Sequence, residues 1–183
     1  MGKQLESISK NLQDFIEKQQ MFFVGTAATD GRVNVSPKGL DSLRVINPNR
    51  VIWLNSTGSG NESAAHILEN PRMTVMFCAF DGAPLILRLF GKAQAIHPRD
   101  AEWSELYANF SPITGARQIF ILEVDLVQTS CGWAVPIFDF QTQRTQLTDH
   151  WETKTPEQLE KYHKEKNHKS IDGFVTNIAG GDV

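Results

Sequence analysis

The sequence predicts a mainly antiparallel β protein with helices at its periphery. About six or seven apolar segments of strand length follow one another along the chain. Asp-Gly pairs at residues 30–31 and 81–82 are typical of hairpin turns. Helical patterns occupy only a few of the connections between strands. A barrel or a sandwich therefore explains the pattern better than a parallel α/β sheet does.

Length, composition and charge indicate one globular domain. The 183 residues are 40% hydrophobic and 21% charged, which suits a soluble protein with a sizeable core. The formal net charge of −3 argues against a nucleic-acid partner. No signal peptide is recognisable, and no apolar run approaches the ~20 residues of a membrane-spanning helix. Cys78 and Cys131 lie in apolar stretches and are interpreted as reduced core thiols, so we expect a cytoplasmic protein without a membrane partner.

The first part of the chain predicts a helix followed by a hairpin. Residues 21–28 form an apolar strand, and the alternating segment Arg32 to Lys38 should return antiparallel to it. Pro37 confines this second strand to a sheet edge or a bulge. Residues 39–46 continue as a loop or a short strand. An amphipathic helix precedes the hairpin, and its apolar positions are Leu5, Ile8, Leu12, Phe15 and Ile16.

The middle of the chain predicts three more strands. They cover residues 72–80, 85–96 and 118–127, and Gly91 marks a bulge or bend in the second of them. Residues 98–110 are predicted to be helical. We therefore expect a further antiparallel unit that is interrupted by one helix.

A change in composition suggests where the domain ends. Residues 130–136 form a compact aromatic turn, and the chain becomes more polar beyond Asp139. We place a domain over residues 1–140, which includes the N-terminal helix. Residues 141–183 form a C-terminal extension that is expected to carry one charged helix, over residues 156–166, and to pack on the same domain.

The segment from Val51 to His66 has the pattern of a strand, a polar turn and a helix. Ser59 and Glu62 have the spacing of a capping box, and the helix is expected to stop at Asn70. A turn that leads into a helix offers free backbone amides and the positive end of the helix dipole to a phosphate. The alternative is an ordinary capped helix after a strand, and the local sequence favours that alternative.

Three ordered motifs resemble the pyridoxamine 5′-phosphate oxidase-like flavoproteins. Residues 22–39 are similar to the opening hairpin of that family. Residues 50–80 resemble its next unit of strand, polar turn, helix and strand, and residues 85–91 resemble the following strand, which ends in Arg-x-x-Gly. The likeness covers roughly the first two-thirds of the chain in element order.

The resemblance implies a split β-barrel, antiparallel and of the Greek-key type, that forms a homodimer with FMN at the subunit interface. It also implies an oxidoreductase that transfers hydride between a small organic substrate and the flavin. The residues identify neither a catalytic group nor a metal site. The alternative is a non-enzymatic flavin-binding or sensing protein, or a relative that holds a deazaflavin or haem on the same scaffold.

The resemblance further implies which residues contact the cofactor. In the family, the second strand lines the flavin, and the following strand end and turn contact the ribityl chain and the phosphate. The family carries an Arg-Lys pair where this chain has Ser63-Ala64. Other polar residues would then have to hold the phosphate. The expected cofactor-binding residues are Arg32, Val35, Ser36, Lys38, Leu54, Asn55, Ser59, Asn61, Ser63, Arg88 and Trp133.

Several of these residues also have ordinary structural interpretations. Lys38 could be a solvated edge lysine. Arg88 lies among leucines, so it either pairs with a carboxylate or points into an interface site. Trp133 could stack on the flavin ring or lie in the core. His66 is interpreted as a hydrogen-bonded structural histidine. The family's substrate-binding Arg-x-His pattern is missing from the sequence, so pyridoxine phosphate is not indicated as the substrate.

Overall fold

A computed structural model describes residues 2–181 and contains one eight-stranded antiparallel sheet with helices around it. This confirms the predicted fold class. The strands are β1 (Lys3–Leu5), β2 (Phe22–Thr26), β3 (Asn34–Lys38), β4 (Leu43–Asn47), β5 (Arg50–Ser56), β6 (Arg72–Cys78), β7 (Ile86–Ile96) and β8 (Ala116–Ser130). The helices are α1 (Lys10–Lys18), α2 (Glu62–Glu69), α3 (Trp103–Tyr107), α4 (Gln146–Glu152) and α5 (Pro156–Tyr162), followed by a π-helical turn, His163–Asn167.

The sheet is open, with β3 and β4 at its two edges. The strand order is β3-β2-β6-β7-β8-β5-β4, and β1 pairs with β8. β2 and β3 form the predicted hairpin, in which Phe22 lies opposite Lys38. Pro37 is tolerated in β3 because the outer side of this strand has no neighbour in the sheet. The amine of Lys38 lies 4.9 Å from the centre of the Trp53 ring, so a β3 side chain reaches β5 across the opening.

The core lies between the curved sheet and its covering helices. Trp53 stacks on Phe120 with ring centres 4.7 Å apart and meets Phe22 edge-on at 6.1 Å. Ile16 of α1 packs into the same cluster. A second apolar cluster around Ile119 receives α3. Burial of these aromatic side chains supplies much of the apolar stabilisation and fixes β5 against β8.

The longest strands carry the irregularity that the sequence indicates. The pairing of β7 with β8 shifts register between Phe90 and Gly91, which confirms the predicted bulge. A Cβ atom at Gly91 would overlap the carbonyl oxygen of Glu123. Glycine is therefore required here because the neighbouring backbone lies too close for any side chain.

Two predicted helices are shorter in the structure. α1 begins only at Lys10, with Ser9 as its N-cap, because Leu5 belongs to β1 and lies opposite Val127. The predicted helix over residues 98–110 is reduced to α3, which is preceded by turns.

Two further expectations differ at the C-terminal side. The extension contains α4, α5 and the π-helical turn, where one helix was predicted. Cys131 is exposed, so it is not the core thiol that its apolar neighbours suggested, whereas Cys78 is buried. Among residues 2–181, no helix combines the length and apolarity that crossing a bilayer requires.

Candidate functional site

A polar cavity of about 310 Å³ lies in the opening of the sheet. One wall is β3, which contributes Asn34, Ser36 and Lys38. The opposite wall is the end of β5. The loop from Gly58 to Asn61 and the start of α2 close one end. β3 presents these three side chains together because alternate residues of a strand share a face.

Lys38 is a half-buried cation in this cavity. Its amine lies over the Trp53 ring, where the cation contacts the negative face of the aromatic system. Burial, with a smaller contribution from the positive charge of Arg117, lowers the pKa of Lys38 to about 8. Lys38 is therefore charged at neutral pH, and its charge is poorly solvated.

Arg117 is a second cation in the same cavity and is almost fully buried. Its side chain is 4% exposed, and its Nη1 donates to the Gly60 carbonyl oxygen at 3.0 Å. The Nε atom is buried without a hydrogen-bond partner. Burial lowers the pKa of the guanidinium to about 9, so it stays protonated at neutral pH. Within residues 2–181, neither Lys38 nor Arg117 forms an ion pair with a carboxylate.

A hydrogen-bonded network holds the cavity's uncharged groups. The Asn34 amide donates to the hydroxyls of Thr26 and Ser63 at 3.2 Å each, and the Ser36 hydroxyl donates to Asn34 Oδ1 at 3.2 Å. The Thr26 hydroxyl also contacts Nδ1 of buried His66 at 3.1 Å. His66 is thus a hydrogen-bonded structural histidine, as predicted.

The start of α2 differs from the predicted capping box. Asn61, not Ser59, is the N-cap, and its side chain makes no capping bond. The Glu62 carboxylate, which also lines the cavity, instead accepts the backbone amide of Ile171 at 3.1 Å. The helix begins two residues later than the capping box requires, so Glu62 is its first residue and not its third. The Ala64 amide already donates to the Asn61 carbonyl at 3.1 Å, so among the first-turn amides those of Glu62 and Ser63 remain available at this end of the cavity.

Six of the predicted cofactor-binding residues line the cavity. They come from β3, from the end of β5, and from the turn and helix start that follow it. These residues are Ser36, Lys38, Asn55, Ser59, Asn61 and Ser63.

Five predicted residues lie elsewhere. Arg32 is exposed and pairs with Asp172 of the C-terminal extension. Val35 is exposed on the opposite face of β3, and Leu54 is buried in the second apolar cluster. Arg88 donates to the Ser130 hydroxyl at 3.1 Å, does not line this cavity and forms no ion pair with a carboxylate within residues 2–181. Its place at a subunit interface stays a prediction.

Trp133 is the fifth residue outside the cavity. Its side chain is 83% exposed, so the expectation of a core tryptophan is wrong. It follows β8 in a short turn, and Ile137, Phe138 and Phe140 are exposed on the segment after it. This run of exposed apolar side chains is a candidate contact surface.

The most important residue that sequence reasoning missed is Arg117. It directly precedes the predicted strand over residues 118–127 and belongs to no local motif. The pairing of β5 with β8, in which Asn55 lies opposite Gln118, brings Arg117 to the cavity. A buried cation is costly without a partner, so an arginine at the edge of an apolar strand is the available signal.

A second cavity of about 310 Å³ lies between the end of α1 and β4. It also contains charged groups, but they are paired: both Nη atoms of Arg44 donate to the Asp41 carboxylate at 2.8 Å. Glu17 also lines this cavity. Across the described residues, 2–181, no group of three or more potential metal ligands comes together.

Comparison with known proteins identifies the relatives of this chain. Residues 8–131 match the family model described as pyridoxamine 5′-phosphate oxidase. A pyridoxamine 5′-phosphate oxidase family protein of Aspergillus flavus, ustO, is 39% identical over 92% of this chain and 75% of the relative.

Solved structures show the same fold at low identity. HupZ of Group A Streptococcus has a TM-score of 0.52 at 19% identity and covers 65% of this chain and 91% of that one. A candidate pyridoxamine 5′-phosphate oxidase of Lactobacillus delbrueckii has a TM-score of 0.53 at 18% identity and covers 67% and 94%. The open antiparallel sheet is the expected split barrel, and the chain belongs to the pyridoxamine 5′-phosphate oxidase family.

Proposed function

We propose that the polar cavity binds FMN and that the protein is an FMN-dependent oxidoreductase acting on a small organic substrate. The observation that carries this proposal is a pair of cations, Lys38 and Arg117, that face one cavity without a carboxylate partner within residues 2–181. Two such charges match the charge of a phosphate monoester. An anion that neutralises them removes a cost that the ligand-free protein bears.

The phosphate is assigned to the end of the cavity formed by Arg117 and the start of α2. Arg117 uses one Nη atom to hold the Gly60 carbonyl, and its Nε is free to donate. The N-terminus of α2 adds backbone amides and the positive end of the helix dipole. The family's Arg-Lys pair is replaced by Ser63-Ala64 in this chain, and Arg117 supplies one cationic donor in its place.

The ribityl hydroxyls are assigned to the side chains along β3 and the end of β5. Asn34, Ser36 and Asn55 offer both donors and acceptors to them. Lys38 and Trp53 then lie towards the flavin end of the cavity. When bound, the flavin supplies the hydride chemistry, while these residues bind and orient it.

A second copy of the chain is proposed to cover the flavin ring. A cavity of about 310 Å³ is at the lower end of the range for small-molecule sites, so the ring extends towards the open side. On the opposite face of the same edge segment, Val33 and Val35 are 72% and 67% exposed. Exposed apolar residues near an open sheet edge favour association, so we expect a homodimer with the cofactor at its interface.

The test compares three ligands on the purified protein. FMN, riboflavin and orthophosphate are titrated into ligand-free protein, with flavin fluorescence and calorimetry as readouts. We expect FMN to bind roughly 100-fold more tightly than riboflavin, because only FMN carries the phosphate to which Arg117 donates and whose charge Lys38 and Arg117 together balance. Orthophosphate should compete with FMN.

Equal affinities for FMN and riboflavin would overturn the phosphate assignment. Failure to bind either flavin would overturn the FMN proposal, and a haem or deazaflavin spectrum of the protein as isolated would replace it. Bound flavin that no small organic donor reduces would favour a binding or sensing role over an enzyme.

A further inference from the structure

The C-terminal extension, residues 141–183, holds the loop that closes the cavity. We call residues 57–61 the pocket loop. Asn167 Nδ2 donates to the Gly58 carbonyl oxygen at 3.0 Å, and Asn61 Nδ2 donates to the Asn167 carbonyl oxygen at 3.5 Å. The Thr176 hydroxyl donates to that same carbonyl at 2.5 Å. One residue of the extension is therefore bonded to the loop on both sides of Ser59.

The first residue of the pocket loop is held just as closely. Trp151 Nε1 donates to the Thr57 carbonyl oxygen at 2.8 Å. The Thr57 hydroxyl lies 2.9 Å from the Gly115 carbonyl oxygen, where it can donate its one hydrogen, and 2.8 Å from His163 Nε2. From this geometry we infer that His163 carries its proton on Nε2 and donates to the Thr57 hydroxyl.

Tyr162 and His163, in the same segment of the extension, lie close enough to Arg117 to interact with its charge. Burial has the larger influence on the pKa values of Arg117 and His163, and it lowers both. Tyr162 raises the pKa of Arg117, and the charge of Arg117 helps to lower that of His163, so both side chains are electrostatic neighbours of the guanidinium. Excluding water from a cation strengthens its attraction to an anion.

The pocket loop needs such external support because of its composition. Gly58 and Gly60 flank Ser59, and glycine loses more backbone freedom on ordering than any other residue. The structure contains no helix or strand over residues 57–61. Contacts from other parts of the chain must therefore fix the loop. They also fix the Gly60 carbonyl oxygen, to which Arg117 donates.

We propose that Asn167 and His163 are positioning residues of the anion site: they hold the pocket loop so that Arg117 and the start of α2 face the phosphate together. This inference rests on the proposed function for its ligand. It goes beyond it by assigning a role to residues of the extension, all of which lie outside the family match at residues 8–131.

Asn167→Ala is the first variant to test. Asn167 is fully buried, and its Nδ2 is the donor to the Gly58 carbonyl. Hydrogen exchange of the 57–63 segment is measured in the ligand-free protein, and FMN affinity is measured by fluorescence. We expect roughly tenfold faster exchange in that segment and a roughly tenfold higher Kd for FMN, which corresponds to one lost hydrogen bond to the loop.

Val127→Ala is the matched control. Val127 is fully buried in β8, on the same strand as Arg117, and it packs in the main apolar core. Its substitution should lower Tm without changing FMN affinity or exchange in the 57–63 segment. This separates loss of general stability from loss of loop position.

His163 provides a second, conservative pair of variants. In His163→Gln the side-chain amide can still donate to the Thr57 hydroxyl, and we expect FMN affinity close to that of the wild type. In His163→Ala the donor is lost, and we expect Kd to rise severalfold. The pair keeps the proposal testable if Asn167→Ala does not fold.

The two readouts separate failure of this inference from failure of the proposed function. Unchanged loop exchange in Asn167→Ala, or faster exchange with unchanged FMN affinity, would overturn the positioning role. Equal losses in His163→Gln and His163→Ala would count against it as well. A wild-type protein that binds no FMN would overturn the proposed function, while loop exchange would still decide whether the extension fixes the loop.

Discussion

Two cavities of the same volume differ in how their charges are compensated. Each occupies about 310 Å³. In the cavity beside α1, Arg44 donates to both oxygens of the Asp41 carboxylate, and its guanidinium carbon lies 5.1 Å from the Phe110 ring centre. In the cavity at the opening of the sheet, which Glu62 also lines, Lys38 and Arg117 form no ion pair with a carboxylate within the described residues 2–181.

The difference shows that volume alone does not mark a binding site. A paired arginine has already satisfied its donors, and an arriving anion would have to displace the carboxylate. Unpaired, poorly solvated cations have the opposite property, because an anion relieves the cost of their burial. The cavity at the opening of the sheet, with its unpaired cations, is therefore the better candidate site.

The largest expected effect comes from removing the buried guanidinium. Arg117→Met should weaken FMN binding by roughly 100-fold, equivalent to about 2–3 kcal/mol, because a charge-assisted bond to phosphate is lost. The ligand-free protein should be as stable as the wild type or more stable, since an uncompensated buried charge is replaced by an apolar side chain. Titration with FMN and thermal unfolding measure the two effects.

Arg44→Met, in the cavity beside α1, is the matched control. It should leave FMN affinity within roughly twofold of the wild type, because Arg44 does not line the proposed site. If both arginine variants lose affinity equally, the contrast between the two cavities is wrong.

The second effect is a pH dependence of binding that comes from Lys38. Because its pKa is lowered to about 8, Lys38 is already protonated below that pH and must take up a proton to hold an anion above it. FMN affinity should therefore be flat from pH 7 to 8 and then fall, by up to about tenfold per pH unit. Lys38→Met should bind more weakly, and its affinity should not fall until Arg117, whose pKa is about 9, begins to lose its proton.

Kd values measured between pH 7 and pH 9 give this profile, because Arg117, with a pKa of about 9, also loses its charge at higher pH. Lys38→Arg offers a further check, since a guanidinium ionises at a higher pH than an amine does. A wild-type profile that stays flat to pH 9 would mean that the charge of Lys38 does not contribute to FMN binding.

The third effect concerns the stability of the neighbourhood of Arg117. Burial and the charge of Arg117 lower the pKa of His163 to about 4, from a usual value of 6.5. The folded state thus holds this histidine neutral, so its contribution to stability is complete above pH 6.5 and is lost as pH falls towards 4. We expect this loss to be about 1–2 kcal/mol, after allowing for solvent screening of the partly exposed ring.

Urea unfolding of the wild type and of His163→Gln between pH 4 and pH 7 isolates this contribution. His97, whose pKa is also lowered by burial, adds a slope of the same sign in both proteins. The difference between the two proteins therefore reports His163. If the free energy of unfolding depends on pH equally in the two proteins, neither burial nor the charge of Arg117 lowers the pKa of His163.

The smallest effect is expected in the cavity beside α1, where Arg44 is paired with Asp41. Asp41→Asn removes the charge that compensates Arg44 while retaining a residue type that tolerates the left-handed backbone at this position, where φ is 51°. Stability should fall by less than about 1 kcal/mol, because the Asp41 carboxylate is largely exposed. FMN affinity measured on the same sample should not change.

Local patterns in the sequence predicted most of the sheet. Asp-Gly turns and alternating strands identified the β2–β3 hairpin and placed Pro37 on an edge strand, and Gly91 indicated the bulge. These features depend on neighbours along the chain or on steric limits of single residues. The start of α1 was placed too early because Leu5 satisfies a strand pairing that no local pattern reveals.

The candidate site was only partly predictable for the same reason. Ser36 and Lys38 on β3 and the polar residues of the 59–63 segment were expected from the family resemblance, and they line the cavity. Arg117 was missed because only the pairing of β5 with β8 brings it there. The capping box at Ser59 and Glu62 did not form because the helix begins later, with Asn61 as its N-cap.

The contacts between the pocket loop and the extension also constrain how the protein folds. Thr57 and His163 are separated by 106 residues, and Gly58 and Asn167 by 109. Loop closures of this length are slow relative to hairpin formation. During synthesis the sheet can assemble before the extension has left the ribosome, but the pocket loop cannot be fixed until it has. On the proposed function, firm binding of the cofactor would therefore follow the docking of the extension on the pocket loop.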